Sequence, residues 1–272
     1  MHNVKIFFLS AAFGVGMVAP ALAQDTDMAG GKKSDWNFLI GGGATVASTY
    51  EGSKHYEVGP LPLAEVTWRD AISLGTKDGL KVVVKPLMDR GFSVNGGIGY
   101  WGGRREGADK DHGDTLRGLG NLSGGAVGNL GLDYQIQALD VGLDLARDLG
   151  NDRDGTTVTL KGGYKIFRYS RVHLDGIFST TWADDNYMSN MFGITQTQAR
   201  NSLKHYSAYS ADAGIKDVTL GFNANYDITS ALSLFAIVKM TRLLDAAADS
   251  PIVKTQGSDN QFGTGIGLAY RF

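Results

Sequence analysis

Two stretches of this chain alternate residue by residue between two kinds of side chain, and a period of two fits strands rather than helices. Near the C-terminus Phe262, Thr264, Ile266, Leu268, Tyr270 and Phe272 share one face, with Gly263, Gly265, Gly267, Ala269 and Arg271 on the other. Val218, Leu220, Phe222, Ala224 and Tyr226 likewise oppose Thr219, Gly221, Asn223, Asn225 and Asp227. Similar patterning predicts strands at 36–46, 61–68, 72–76, 80–85, 91–101, 122–134, 138–147, 156–167, 171–182 and 232–242, about twelve in all. The short pair within 71–85 forms either wall strands or an inward hairpin, and a hairpin leaves ten wall strands.

Three observations decide which face is outside. Several strands reach the ~9–11 residues that a tilted membrane strand needs, against a mean of ~5–6 in soluble sheets. One face is small and hydrophilic, as with Asp140, Gly142 and Asp144 opposite Leu139, Val141, Leu143 and Leu145, a burial that a soluble core does not tolerate unpaired. Connections also alternate between short (69–70, 86–90, 135–136, 169–170, 228–230) and long (47–60, 102–121, 148–155, 183–211, 243–261). Short periplasmic turns and long outer loops are the signature of an outer-membrane barrel. The fold class is therefore all-β: a transmembrane, antiparallel, up-and-down barrel.

Aromatics near strand ends fit interfacial girdles: Trp36, Tyr100, Trp101, Tyr134, Tyr164, Trp182, Tyr226, Tyr270 and Phe272. The final Tyr270-Arg271-Phe272 resembles the signal read by the barrel insertion machinery. Glycine is abundant, 38 of 272 residues, and its even spread suits curved strands.

Residues 1–23 read as a signal peptide, with Lys5, an apolar stretch, and Ala21-Leu22-Ala23 before Gln24. Cleavage after Ala23 leaves a periplasmic tail, 24–35, and a barrel domain, 36–272. The expected location is the outer membrane of a Gram-negative bacterium, in contact with its lipids and lipopolysaccharide. A formal charge of −2 gives no global attraction to nucleic acid. The chain has no cysteine, which removes disulfides and thiolate metal sites.

Chemistry-bearing motifs are sparse. Asp184-Asp185 with His205 is the best candidate for activating water, and solvated loop polarity is the simpler reading. The run 148–155 lacks the closing Glu of a calcium loop. No catalytic residue, cofactor or metal site is expected. Arg104, Arg105, Asp140, Asp144, Arg147, Lys161, Lys165, Arg171 and Asp175 are candidate lumen-lining charges that pair or select solutes. Asp184, Asp185, Tyr187, Asp245 and Asp249 are a candidate polar cluster in the outer loops.

Gly41-Gly42-Gly43, Tyr50-Glu51-Gly52-Ser53 and Pro60-Leu61-Pro62 begin a likeness that continues through Gly103-Arg104, 116–120, 182–187, Phe192-Gly193-Ile194 and 245–253. The set resembles the MltA-interacting protein (MipA/OmpV) family of outer-membrane proteins. Thr49 departs from it, standing where the resemblance calls for proline. The resemblance implies a scaffold role, with a lytic murein transglycosylase and a peptidoglycan synthase as partners. A small-solute channel and an adhesin acting through the outer loops are the alternatives.

Overall fold

The computed structural model describes residues 34–76, 78–84, 91–150 and 154–272. Twelve strands close a single antiparallel barrel. They are β1 (Trp36–Ser48), β2 (Tyr56–Trp68), β3 (Ile72–Gly75), β4 (Gly79–Val84), β5 (Phe92–Trp101) and β6 (Gly125–Ile136). The ring continues with β7 (Leu139–Asp148), β8 (Thr156–Tyr169), β9 (Val172–Ala183), β10 (Gly214–Asp227), β11 (Leu232–Leu243) and β12 (Asn260–Arg271). Each strand pairs with its sequence neighbours, and β1 pairs with β12 to complete the wall. The short β3 and β4 join that wall between β2 and β5, so twelve wall strands stand and no inward hairpin forms. The signal-peptide expectation and the turn at 86–90 lie outside the described residues.

Alternation puts the apolar set outside. Ile40, Ile98, Leu130, Leu143, Leu220, Phe222, Val238, Phe262 and Ile266 are exposed around the wall, a belt far larger than soluble monomers present to water. Aromatic rings including Trp36, Tyr134, Trp182 and Tyr270 flank the belt. Trp101 departs from the girdle expected from sequence: it turns inward at the outer end of β5 and is buried. Its place on the inward parity of β5, with Asn95, Gly97 and Gly99, explains this.

The close approach of β1 to β12 depends on glycine. A Cβ on Gly43 would lie 2.7 Å from the Gly267 Cα, so no larger residue fits without moving backbone. At the short-turn end, Arg69 and Asp70 both hold positive φ, which matches a two-residue turn to the strand twist. The Arg69 guanidinium sits 4.8 Å from the Trp68 ring centre and bonds Asp35 at 2.9 Å.

The long connections are not plain loops. Residues 102–124 contain a 3-10 segment, Glu106–His112. Residues 184–213 fold into α1 (Asp185–Phe192) and α2 (Gln196–Asn201), and 244–259 into α3 (Asp245–Asp249) and α4 (Pro251–Gln256). Together they form a cap on the outer mouth. Asp184 caps α1 by accepting from the Tyr187 amide at 2.8 Å. Thr195 and Gln198 form a reciprocal capping box at α2.

Candidate functional site: the cap and the lumen beneath it

Two apolar clusters hold the cap. One is made of loop residues alone: Tyr50, Leu116, Leu119, Ile194, Tyr206 and Ile252. The other joins Met188, Met191, Phe192, Ala247 and Val253 of the cap to Trp101, Ala183 and Leu243 at the outer ends of β5, β9 and β11. In a ring of twelve strands β5 and β11 stand opposite each other. A cluster touching both therefore crosses the mouth, and its members are excluded from water, with Met188 and Ala247 at 0% exposure.

Charge fixes the cap to the wall next to this cluster. The pairing of β9 with β10 shifts register between Ile215 and Asp217, and such a bulge re-aims a side chain. Lys216 and Asp217 are consequently both buried. The Lys216 ammonium donates to Asp217 at 2.5 Å and to Glu51, which follows β1. It lies 5.7 Å from the ring centre of Tyr187 on α1, and the Tyr187 hydroxyl donates to Glu51 at 3.2 Å. Arg104 is buried in the cap and donates to the Met191 carbonyl at 2.6 Å, near the C-terminal end of α1, where a cation is favoured. Burial lowers the Arg104 guanidinium to about 10. The Arg104 Nε and one Asp217 oxygen reach no hydrogen-bond partner among the described residues.

Toward the outside, Asp109 is fully buried and accepts from Thr115 at 2.5 Å and from Thr49 at 3.4 Å. A proline at position 49 would lack that donor. His55 Nδ1 lies 3.0 Å from Asp109, and the His55 and His112 rings stack 4.9 Å apart. Burial pushes the nearby Tyr50 hydroxyl up to about 12 and also raises Tyr206.

Below the cap, the inner faces of β6 to β9 carry a lattice of opposite charges. Lys161 bridges Asp144 at 2.6 Å and Asp133 at 3.0 Å. Asn95 donates to Asp133 at 2.6 Å, Lys165 lies 3.8 Å from Asp140, and Arg168 pairs with Asp175. Gly131 and Gly142 leave the room this lattice occupies: a Cβ on Gly131 would meet Asn95 and Asp144, and one on Gly142 would meet Asp133 and Lys161.

Five of the nine charges expected in the lumen turn inward here: Asp140, Asp144, Lys161, Lys165 and Asp175. The other four differ from that expectation. Arg104 belongs to the cap, and Arg105 is exposed before the 3-10 segment. Arg147 sits on the outward parity of β7 and bonds Asp154 at 2.5 Å. Arg171 is exposed at the short-turn end and donates to the Ile228 carbonyl at 3.3 Å.

The expected outer-loop cluster is dispersed. Asp184 is used as a cap, Asp185 accepts from the Ala213 amide at 2.6 Å, and Asp249 pairs with Lys254 at 3.0 Å. Asp245 opens α3 with positive φ. Only Tyr187 enters the charged contact. Glu51, Lys216 and Asp217 were not among the candidate site residues read from sequence, nor was Lys239, which is buried on the inner face of β11 over Gly263. Two successive charges, Lys216-Asp217, at the head of an alternating strand were the available signal of a bulge.

The sequence profile described as "MltA-interacting protein MipA" matches residues 40–272. No match was found among curated protein sequences. Among solved structures, a "Bacterial polysaccharide outer membrane secretin" aligns over 87% of this chain and 98% of its own, at 9% identity and a TM-score of 0.45. The NanC porin aligns over 86% and 98%, at 10% identity and a TM-score of 0.42. A loop-deletion mutant of OmpT from Vibrio cholerae aligns over 88% and 98%, at 9% identity and a TM-score of 0.39.

Proposed function

The chain belongs to the MltA-interacting protein MipA family, and from that premise we propose that it is a non-enzymatic outer-membrane anchor for peptidoglycan-remodelling enzymes. The observation that carries this reading is the cap. A cluster that touches opposite strands closes the outer mouth at rest, which suits a membrane-fixed docking body better than a permanently open pore. The exposed apolar belt holds the wall in lipid. The partners are a lytic murein transglycosylase, as the family's description suggests, and a peptidoglycan synthase. They meet the periplasmic rim, where residues 69–70, 137–138 and 170–171 turn, together with the tail at 24–35.

Among the described residues, the water-activating set that the sequence suggested does not assemble. His205 is exposed, and the carboxylates of Asp184 and Asp185 are engaged by backbone amides. The test is in-cell crosslinking from a photoreactive residue placed at Asp70 or Gln137, with identification of what is captured. Recovery of murein hydrolases or synthases is expected. Capture of lipopolysaccharide and insertion machinery alone overturns the docking role.

A further inference from the structure

The lumen below the cap has two unlike walls. On β6 to β9 it presents the charge lattice, whose Asp133, Asp144 and Lys165 side chains keep 36%, 31% and 28% of their exposure. Water reaches these groups. On β11, β12, β1 and β2 the inward positions are Phe235 and Ile237, then Gly263, Gly265 and Gly267, then Gly41 and Gly43, then Leu61 and Leu63. Ile237 and Leu61 converge over Gly265, each within 3.4 Å of where its Cβ would be. The band is uncharged only between Lys239, whose side chain lies over Gly263 toward its outer edge, and Glu65, on the same parity as Leu63 toward the short-turn end. In the middle of the lattice, β7 stands opposite β1.

Beside the apolar cluster that closes the mouth above this lumen lies a buried ionic contact. Lys216 and Asp217 are 8% and 7% exposed, and Glu51 16%. A buried ion pair is no more stabilising than apolar packing of the same volume, so a permanent seal has no need of it. Charged groups instead regain hydration when they separate, which keeps a closed and an open state close in free energy. The cap also owns an apolar cluster made only of loop residues, which persists when the cap leaves the wall; what opening breaks is the packing on Trp101, Ala183 and Leu243.

We propose that the barrel is a gated conduit for small solutes that carry both charges and an apolar side, held closed at rest in part by the Lys216 latch to Glu51, with Asp217 beside Lys216 on β10. The lattice of paired acids and bases matches a zwitterionic head, and the opposite glycine-paved band matches an apolar body. This function goes beyond the docking role and does not depend on it. Conductance tests the conduit and periplasmic crosslinking tests the docking, so either can fail alone.

The experiment is planar-bilayer conductance in potassium chloride of the purified, heat-modifiable barrel. Wild type is expected to stay mostly closed. The variant Lys216→Met leaves the Glu51 and Asp217 carboxylates without the cation they share in the closed state and is expected to raise the open fraction about tenfold, the effect of about 1.4 kcal/mol. A second variant replaces 186–211 with a short Gly-Ser linker and is expected to conduct continuously. If both variants are folded and silent, or if wild type is already as open as they are, the gate is refuted. In liposome swelling the capless variant is expected to admit phenylalanine faster than glutamate, and the reverse order refutes the solute class.

Discussion

Trp101, at the outer end of β5, and Leu243, at the outer end of β11, bury their side chains in one apolar cluster although their strands stand on opposite sides of the ring. Each points inward by the parity of its own strand. The gap between them is filled by Met188, Met191, Phe192, Ala247 and Val253 from two separate connections. A sheet that turns its apolar face to lipid has little apolar surface left for its lumen. The cap supplies the molecule with a water-excluding core of the ordinary kind.

Lys161 is the strongest link in the lumen wall, because one ammonium serves both Asp133 and Asp144. Lys161→Met leaves two neighbouring carboxylates facing each other in a partly desolvated space. The expected cost is about 1–2 kcal/mol in urea unfolding, less than for a fully buried pair because water reaches the acids. Adding Asp144→Asn should recover part of it, by removing the repulsion.

Two glycine substitutions separate close approach from mere abundance. Gly43→Ala forces a Cβ against the Gly267 backbone, and should cost about 1–3 kcal/mol in the same assay. Gly107→Ala meets nothing within 4 Å, and should stay within about 0.5 kcal/mol of wild type.

The cap should respond to alkali through its buried phenols. Tyr50 is neutral in the folded cap and is pushed up to about 12 by burial, from 10.0 for the free group. A group whose folded pKa is raised stabilises fully below its unfolded value, and that contribution is lost as pH rises through the folded one. Between about pH 10 and 12 the cap should therefore loosen. Burial lowers the Arg104 guanidinium, a shift whose effect on stability runs opposite to that of Tyr50 as pH rises, so stability alone is an ambiguous reading. Tyrosinate absorbance is the direct measurement: Tyr50→Phe should remove a late-titrating component and leave the early ones in place.

The wall was legible in the sequence because lipid enforces a strict alternation, and β12 and the lower part of β10 show it without interruption. Even the short β3 and β4 could be placed, although whether they joined the wall required pairing partners, which no single strand reveals. The cap was much less legible. Met188, Met191 and Phe192 do have helical spacing, and Thr195 with Gln198 does spell a capping box. These signals are one or two turns long and sit among polar residues, so they look like loop. Parity held at the edges where the expectations departed from it: Arg147 follows the outward face of β7 and Trp101 the inward face of β5, while Arg104 lies beyond the end of β5, and the core that Trp101 faces is one that alternation alone cannot announce. The Lys216 latch depends on a single bulge, and a bulge moves one residue without altering the pattern on either side.

Hydrogen exchange of the lipid-embedded barrel, followed peptide by peptide, tests most directly whether the outer connections form a packed cap. Amides in 185–201 and 245–256 are expected to exchange slowly, on the scale of the wall strands, because their helices are packed across the mouth. Exchange of those segments within seconds, as in a solvated loop, would contradict a barrel closed at its outer end.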